Sequence, residues 1–330
     1  MSEPSGLRLG VDVGGTKCLA VVVDPSGAVV ERKRVPTPRG AAALEEVLVE
    51  LVQSFGVPVD SWLNIGLGVP GLVSREGVIV SSPNLPGIEN FPAARRLTER
   101  LGRLIPIDND ANCAARAEWR VGAARGASDA LIVTLGTGIG GGMVVGGRLV
   151  RGAHGFAGEI GHVVVDAGGR ECACGRRGCW EQYASGTALR RLAREALLDG
   201  AEWPRSVQHR DDDAGDNAGD NAGDNAVDEA VVVRRAAEGG NESALRVIDE
   251  FADWVALGVA TLIHVIDPES VVIGGGVAHR AEVVRHAVER HLADHLYASH
   301  VRPHPPVRLA HFGEDAGAIG AAFLEPDDTH

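Results

Sequence analysis

The stretch LRLGVDVGGTKCLAVVVDPSGAVVERKRV, residues 7–35, reads as an apolar strand, a G-G-T turn, a second apolar strand, a D-P-S-G turn and a third strand. The same plan returns in ALIVTLGTGIGGGMVVGGRLV, residues 130–150. There a strand meets a T-G-T-G-I-G-G-G loop, a second strand follows, and a G-G turn leads to a third. Two copies of one three-stranded meander, each with a glycine-rich first turn, predict two related α/β halves. Helices fit between and after them. AAALEEVLVELVQSF (41–55) and SALRVIDEFADWVALGVATLIHVI (243–266) place apolar residues at helical spacing, so that one face of each covers a sheet.

At 330 residues, with 45% hydrophobic and 23% charged side chains, the chain has the balance of a globular protein with room for two domains. No apolar run reaches the ~20 residues of a membrane helix, and MSEPSGLRLG lacks the basic start and apolar core of a signal peptide. These features predict a cytoplasmic protein with no membrane partner. The formal net charge of −13 disfavours nucleic acid. Much of that charge is local: residues 211–229, DDDAGDNAGDNAGDNAVDE, hold eight acids and no Lys or Arg. The triple A-G-D-N repeat offers almost no apolar surface, and its spacing is not that of an EF-hand loop. It reads as a solvated, disordered insertion at about 205–228.

The glycine turns have a chemical reading. Glycine lets backbone approach a ligand closely, and exposed N–H groups in such turns cradle phosphate oxygens. In D-V-G-G-T-K, Asp12 can orient a magnesium ion through its water, and Thr16 and Lys17 can reach phosphates. Neither loop is a Walker A sequence or a G-x-G-x-x-G fingerprint. A third cluster, SVVIGGGVA (270–278), follows another buried strand, and three such turns predict a nucleotide site. In IPIDNDANCAARAEW (105–119) a strand predicted to end at Asp108 meets a helix predicted to begin near Ala111. Asn109 and Asp110 stand at the junction, suited either to helix capping or to holding a substrate and taking its proton. Glu159 and His162 in GAHGFAGEIGH (152–162) share a face if that turn is helical. The stretch runs into three of the chain's five cysteines, Cys172, Cys174 and Cys179, a clustering that in a reducing compartment indicates a metal site. Cys18 and Cys113 are isolated and read as small core residues.

Taken in order, D-V-G-G-T-K, D-N-D-A-N, G-E-I-G-H and C-x-C-G-x-x-G-C-x-E resemble the ROK family of sugar kinases and repressors, over residues 7 to 323. Within it the chain is similar to bacterial, actinobacterial-type ATP-dependent glucokinases. The resemblance implies an actin-like, hexokinase-type fold with two ribonuclease-H-like α/β domains flanking a cleft. Residues 1–118 and 312–330 would form the small domain, and 119–311 the large one. The helix of GEDAGAIGAAFL (313–324) would return to the first. Gly14, Gly15, Thr16, Thr137 and Gly138 would face ATP phosphates, with Gly274, Gly275 and Gly276 near the adenosine. Gly71, Asn84, Asn109, Asp110, Glu159, His162 and Glu181 would hold the sugar, with Asp110 as the catalytic base. His162, Cys172, Cys174 and Cys179 would form a Cys₃His structural zinc site that fixes His162 and Glu181. His154 matches no ligand position. Gly87-Ile88 stands where many glucokinases of the family carry tryptophan, and the insertion lies outside the family pattern.

The activity so implied is transfer of phosphate from Mg²⁺-ATP to the 6-hydroxyl of glucose, by a homo-oligomer (dimer or tetramer). Kinases of other hexoses or N-acetylhexosamines are the alternatives within the same chemistry. A sugar-responsive regulator without catalysis is the alternative outside it. Such repressors carry an N-terminal helix-turn-helix domain, which is not expected where the phosphate loop begins at Asp12.

Overall fold

The computed structural model describes residues 6–203 and 228–325. The expected insertion therefore lies outside the described residues, apart from Asp228. The described chain divides into two compact units. One comprises residues 1–126, Leu149–Gly158 and 315–330; the other comprises Ala127–Arg148 and Glu159–Glu314.

The first unit opens with β1 (Arg8–Val13), β2 (Lys17–Val23) and β3 (Val29–Pro36), then α1 (Ala41–Gln53) and β4 (Asn64–Val69). A small antiparallel sheet follows from β5 (Leu72–Val73), β6 (Ile79–Ser81) and β7 (Glu89–Phe91). Then come α2 (Ala93–Leu101), β8 (Ile107–Asn109) and α3 (Asp110–Arg120). The second unit holds β9 (Ala130–Leu135), β10 (Ile139–Val145) and β11 (Arg148–Leu149, its second residue grouped with the first unit). It continues with α4 (Glu181–Ala184), α5 (Gly186–Leu198), α6 (Glu229–Glu238) and α7 (Glu242–Ile266), and then β12 (Ser270–Gly274), α8 (Glu282–His295) and β13 (Val307–Leu309). The last helix, α9 (Ala316–Ala322), belongs to the first unit.

The two main sheets share one topology. Their strand orders are β3-β2-β1-β4-β8 and β11-β10-β9-β12-β13. In the first, β1 pairs antiparallel with β2 and parallel with β4, which pairs parallel with β8. In the second, β9 pairs antiparallel with β10 and parallel with β12, which pairs parallel with β13. The meander repeat in the sequence is thus the first half of a repeated five-stranded sheet. Because β1, β2, β4, β9 and β12 are buried on both faces, they read as near-continuous apolar runs.

Register places chemistry at strand ends. Asp12 on β1 pairs with Gly68 on β4, and Gly68 pairs with Asp108 on β8. A Cβ on Gly68 would lie 3.6 Å from the Asp110 Cα, so the bare position leaves room for the start of α3. Close packing of α9 needs glycines on both sides. A Cβ on Gly10 would come within 1.8 Å of the Ala318 carbonyl oxygen, and one on Gly320 within 1.6 Å of the Cys113 carbonyl oxygen. The helix is shorter than its sequence pattern suggested, because Gly313 to Asp315 form the approach to it.

The segment Leu149–Gly158 joins the first unit for identifiable reasons. Arg151, nearly fully buried, forms an ion pair with the fully buried Asp108 at 3.0 Å. Arg75 Nε donates to the Gly152 carbonyl at 2.8 Å, and Gly155 packs so tightly on Val73 that a Cβ would meet its carbonyl oxygen at 2.6 Å. In the second unit α7 runs 25 residues, capped by the Asn241 side chain, which accepts from the Ala244 N–H. Val247, Ile248, Phe251, Val255, Val259 and Ile263 are its buried stripe. Asp228 caps α6 by accepting from the Ala230 N–H. Among the described residues no helix is long and apolar enough to cross a membrane.

Candidate active site and metal centre

In the first unit the junction of β8 and α3 carries both readings of Asn109 and Asp110 at once. Asn109 is the cap of α3: its Oδ1 accepts from the N–H groups of Ala111 (2.9 Å) and Asn112 (3.1 Å). Its Nδ2 donates to the Gly71 carbonyl at 3.0 Å, and Gly71 adopts φ +96°. A side chain at Gly71 would also strike the Ser81 carbonyl, at 2.3 Å. The Asp110 carboxylate accepts from the Ala111 N–H at 2.8 Å. Behind it Asp108 accepts from the Asn109 N–H (2.8 Å) and from Asn112 Nδ2 (3.1 Å) and faces Arg151.

Burial dominates the electrostatics of these acids. It raises Asp110 above the ordinary carboxylate range, against the pull of the Ala111 N–H. Asp12 is pushed up to about 7, first by burial and then by the charge of Asp110, with Lys17 opposing. Burial also raises Asp108, and Arg151 is the first group that opposes it. The charge of Asp110 thus makes a second full negative charge on Asp12 more costly. Gly317 lies against the Asp12 carboxylate, since a Cβ there would stand 2.8 Å from Asp12 Cγ. The turn between β1 and β2 is a closed hairpin: Gly14 N–H donates to the Lys17 carbonyl at 2.8 Å, and Thr37 Oγ1 donates to the Gly14 carbonyl at 2.7 Å. Gly15 and Thr16 stay exposed at its tip. Asn84 stands exposed on the loop between β6 and β7, beside Gly87, whose φ is +82°.

In the second unit one donor atom from each of His162, Cys172, Cys174 and Cys179 lies within 4.8 Å of the others. Cys172 Sγ is 3.8 Å from His162 Nδ1, and the Sγ atoms of Cys174 and Cys179 are 3.6 Å apart. A tetrahedral zinc ion with Zn–S near 2.3 Å and Zn–N near 2.1 Å spaces its ligands by about 3.6–3.8 Å. The cluster is compatible with structural zinc in donor set and spacing. A knuckle builds it: Cys172 N–H donates to the Arg176 carbonyl (2.8 Å), and Gly175 N–H donates to the Cys172 carbonyl (3.0 Å). Gly178, with φ +77°, admits no side chain, because a Cβ would come within 1.8 Å of the Asp166 carbonyl oxygen. The loop is tied down by Tyr183, whose hydroxyl donates to Asp166 Oδ2 (2.9 Å) and accepts from the Arg170 N–H (2.7 Å). Trp180, fully buried, donates from Nε1 to the Trp254 carbonyl at 2.8 Å.

The Arg176 N–H draws the exposed Cys174 thiol down to about 6, while burial pushes Cys172 up to about 12. Glu159, His162 and Glu181 gather around the cluster. A 3₁₀ turn at Ile160–His162 follows Glu159, and His162 Nε2 lies 4.0 Å from Glu159 Oε2. On the other side of the ring, Nδ1 is 3.8 Å from Glu181 Oε1, which accepts from Cys172 Sγ at 3.1 Å. The ring therefore turns Nδ1 to the cysteines and Nε2 away from them. His154, by contrast, is an exposed loop residue.

The turns at Thr137 and at Gly275–Gly276 follow the adjacent parallel strands β9 and β12, the second of which ends at Gly274, at their carboxyl ends, where open α/β sheets bind ligands. Gly136 N–H donates to the Gly138 carbonyl at 3.0 Å, which closes the first turn. Gly275, φ +83°, packs on Leu135, and Val277 N–H donates to the Leu135 carbonyl at 3.2 Å. Sequence reasoning did not single out Arg151 or Thr187, whose partners Asp108 and Thr137 are distant in the chain and which no local pattern marks.

Comparison with known proteins accords with this arrangement. Residues 8–328 match the ROK family. The chain is 34% identical over 325 residues to the glucokinase of Streptomyces coelicolor, covering 98% of this chain and 99% of that protein. It is 33% identical over 331 residues to the N-acetyl-D-glucosamine kinase of Pectobacterium atrosepticum, covering 97% and 99%. The crystal structure of a ROK family glucokinase from Streptomyces griseus in complex with glucose and AMPPNP matches with a TM-score of 0.79 at 34% identity, over 98% of this chain and all of that one. The chain belongs to the ROK family, and its duplicated α/β fold is the actin-like, hexokinase-type fold.

Proposed function

We propose that this protein is an ATP-dependent sugar kinase that transfers the γ-phosphate to the 6-hydroxyl of glucose. The observation that carries the reading is the Asp110 carboxylate, fixed at the first turn of α3 with its basicity raised by burial. A raised carboxylate beside a bound hydroxyl is a general base closer to the operating pH than an ordinary aspartate. Asp110 would accept the proton of the attacking hydroxyl. Asn109, Gly71, Asn84, Glu159, His162 and Glu181 are the proposed sugar-binding set, whose acceptors and amides suit a ring of hydroxyls. Gly14, Gly15, Thr16, Lys17, Thr137 and Gly138 are proposed for the phosphates, and Gly274, Gly275 and Gly276 for the adenosine side. Phosphoryl transfer needs little beyond positioning and charge stabilisation, which backbone N–H groups and Lys17 would supply.

Asp12 would hold Mg²⁺ through water, and that ion would offset the charge gathering on the phosphates. Its positive charge would also offset the burial, and after it the charge of Asp110, that lift Asp12. The Cys₃His set would hold a structural zinc that fixes the facing of His162. The S. coelicolor and S. griseus relatives favour glucose, and the P. atrosepticum relative supports a second reading, phosphorylation of an N-acetylhexosamine. A coupled assay of glucose, fructose, mannose, N-acetylglucosamine and N-acetylmannosamine, each with ATP, GTP and polyphosphate, decides between them. Highest kcat/KM for glucose with ATP is the expected outcome. Preference for an N-acetyl sugar would move the assignment to the second reading, and absence of turnover with every pair would remove the kinase reading.

A further inference from the structure

The segment that follows the last cysteine touches every residue of the turn after β9. Glu181, two positions beyond Cys179, lays its carboxylate over Gly138, where a Cβ would stand 2.7 Å from Oε2. Gly186 N–H donates to the Gly136 carbonyl at 2.7 Å. Thr187 Oγ1 donates to the Thr137 carbonyl at 2.8 Å and in turn accepts from Arg190 Nη2 at 3.2 Å. Gly136 and Thr137 are each held by a hydrogen bond, and Gly138 is packed against, by a residue lying within eight positions of a metal-ligand candidate. The other oxygen of Glu181 faces Cys172 and His162. Between these contacts the chain is stiff. Trp180 is fully buried, α4 occupies Glu181–Ala184, and the Ser185 side chain caps α5 by accepting from the Ala188 N–H at 3.2 Å.

We propose that the metal-bound knuckle positions the nucleotide phosphate loop through Glu181, Gly186 and Thr187, so that occupancy of the Cys₃His site sets nucleotide affinity as well as sugar affinity. The inference rests on the kinase reading, because it takes the turn at Thr137 as a phosphate site. A turn binds an oxyanion well only if its N–H groups are already aimed, and here two of its carbonyls, those of Gly136 and Thr137, are tied down on the other side of the peptide units. Losing the ion would free the knuckle, and with it the segment that carries all three contacts. Thr187 is a positioning residue, one hydrogen bond removed from the loop.

Two measurements on the zinc-loaded chain test this. In the first, zinc is withdrawn with a chelator, folding is followed by circular dichroism, and AMPPNP is titrated calorimetrically without sugar. A folded, zinc-free protein is expected to bind AMPPNP at least tenfold more weakly, and an unchanged dissociation constant overturns the proposal. In the second, Thr187→Val keeps the branched shape and deletes the hydroxyl, which covers the case in which the zinc-free protein unfolds. It is expected to weaken AMPPNP about three- to tenfold, the range of one neutral hydrogen bond, with zinc content and glucose affinity unchanged. Equal AMPPNP affinity in Thr187→Val and wild type overturns the proposal as well. Failure of the zinc-loaded wild type itself to bind AMPPNP would instead count against the kinase reading.

Discussion

Arg151→Met tests the electrostatic frame behind the proposed base. The side chains of Arg151 and Asp108 are 4% and 0% exposed, so solvent does not screen the 3.0 Å pair. The substitution keeps an unbranched apolar stem and leaves Asp108 charged in a dry site. Breaking a buried ion pair from one side costs about 3–5 kcal/mol, because the remaining charge has lost its compensation. The first unit has about 150 residues, a size at which each kcal/mol shifts the melting temperature by about 2–4 °C. A fall of about 6–20 °C in its transition follows, read by calorimetry. Adding Asp108→Asn to Arg151→Met should restore most of the loss. The amide oxygen can still accept from the Asn109 N–H and Asn112 Nδ2, and the stranded charge is gone. A single variant melting within 2 °C of wild type, or a double variant no better than the single, refutes the reasoning.

Other outcomes follow from the same geometry. A carboxyl whose folded value is raised to about 7 binds its proton more tightly in the native state than unfolded, so stability falls as pH rises from about 4 to 7 and the loss is complete above that range. Chemical denaturation of the metal-free chain at pH 5 and pH 8 should show this trend, and Asp12→Asn should flatten it; an unchanged slope in the variant would show that Asp12 is not the group. The acid limb of kcat/KM should report the Asp12–Asp110 pair jointly and move to lower pH as Mg²⁺ is raised. Gly320→Ala should destabilise the first unit by ~3 kcal/mol or more, because the Cβ would meet the Cys113 backbone rather than a movable side chain, and urea titration reads it directly.

What the sequence makes legible is local. The paired meanders are visible because strands buried on both faces are written as apolar runs around glycine turns, and the cysteines because thiols in that spacing have few other uses. Asn109 and Asp110 sit where the strand-to-helix change predicts, although β8 runs one residue past Asp108 and α3 begins at Asp110, one residue before the predicted start. Contacts between positions far apart leave no such trace. Arg151 meets Asp108 across 43 positions and Thr187 meets Thr137 across 50, and neither lies in a periodic pattern. The membership of Leu149–Gly158 in the first unit is of the same kind, since it depends on one buried charge pair, on the Arg75 hydrogen bond to the Gly152 carbonyl and on the close approach of Gly155 to Val73.

The central claim, that Asp110 is the base of a sugar kinase, is tested most directly by Asp110→Asn. The amide keeps the shape and can still accept from the Ala111 N–H through its oxygen, but it cannot take a proton. Single-turnover transfer from ATP to glucose should slow by at least ~10²-fold, the lower range for a general base, with glucose affinity changed only modestly. Transfer at a rate near wild type would contradict the claim.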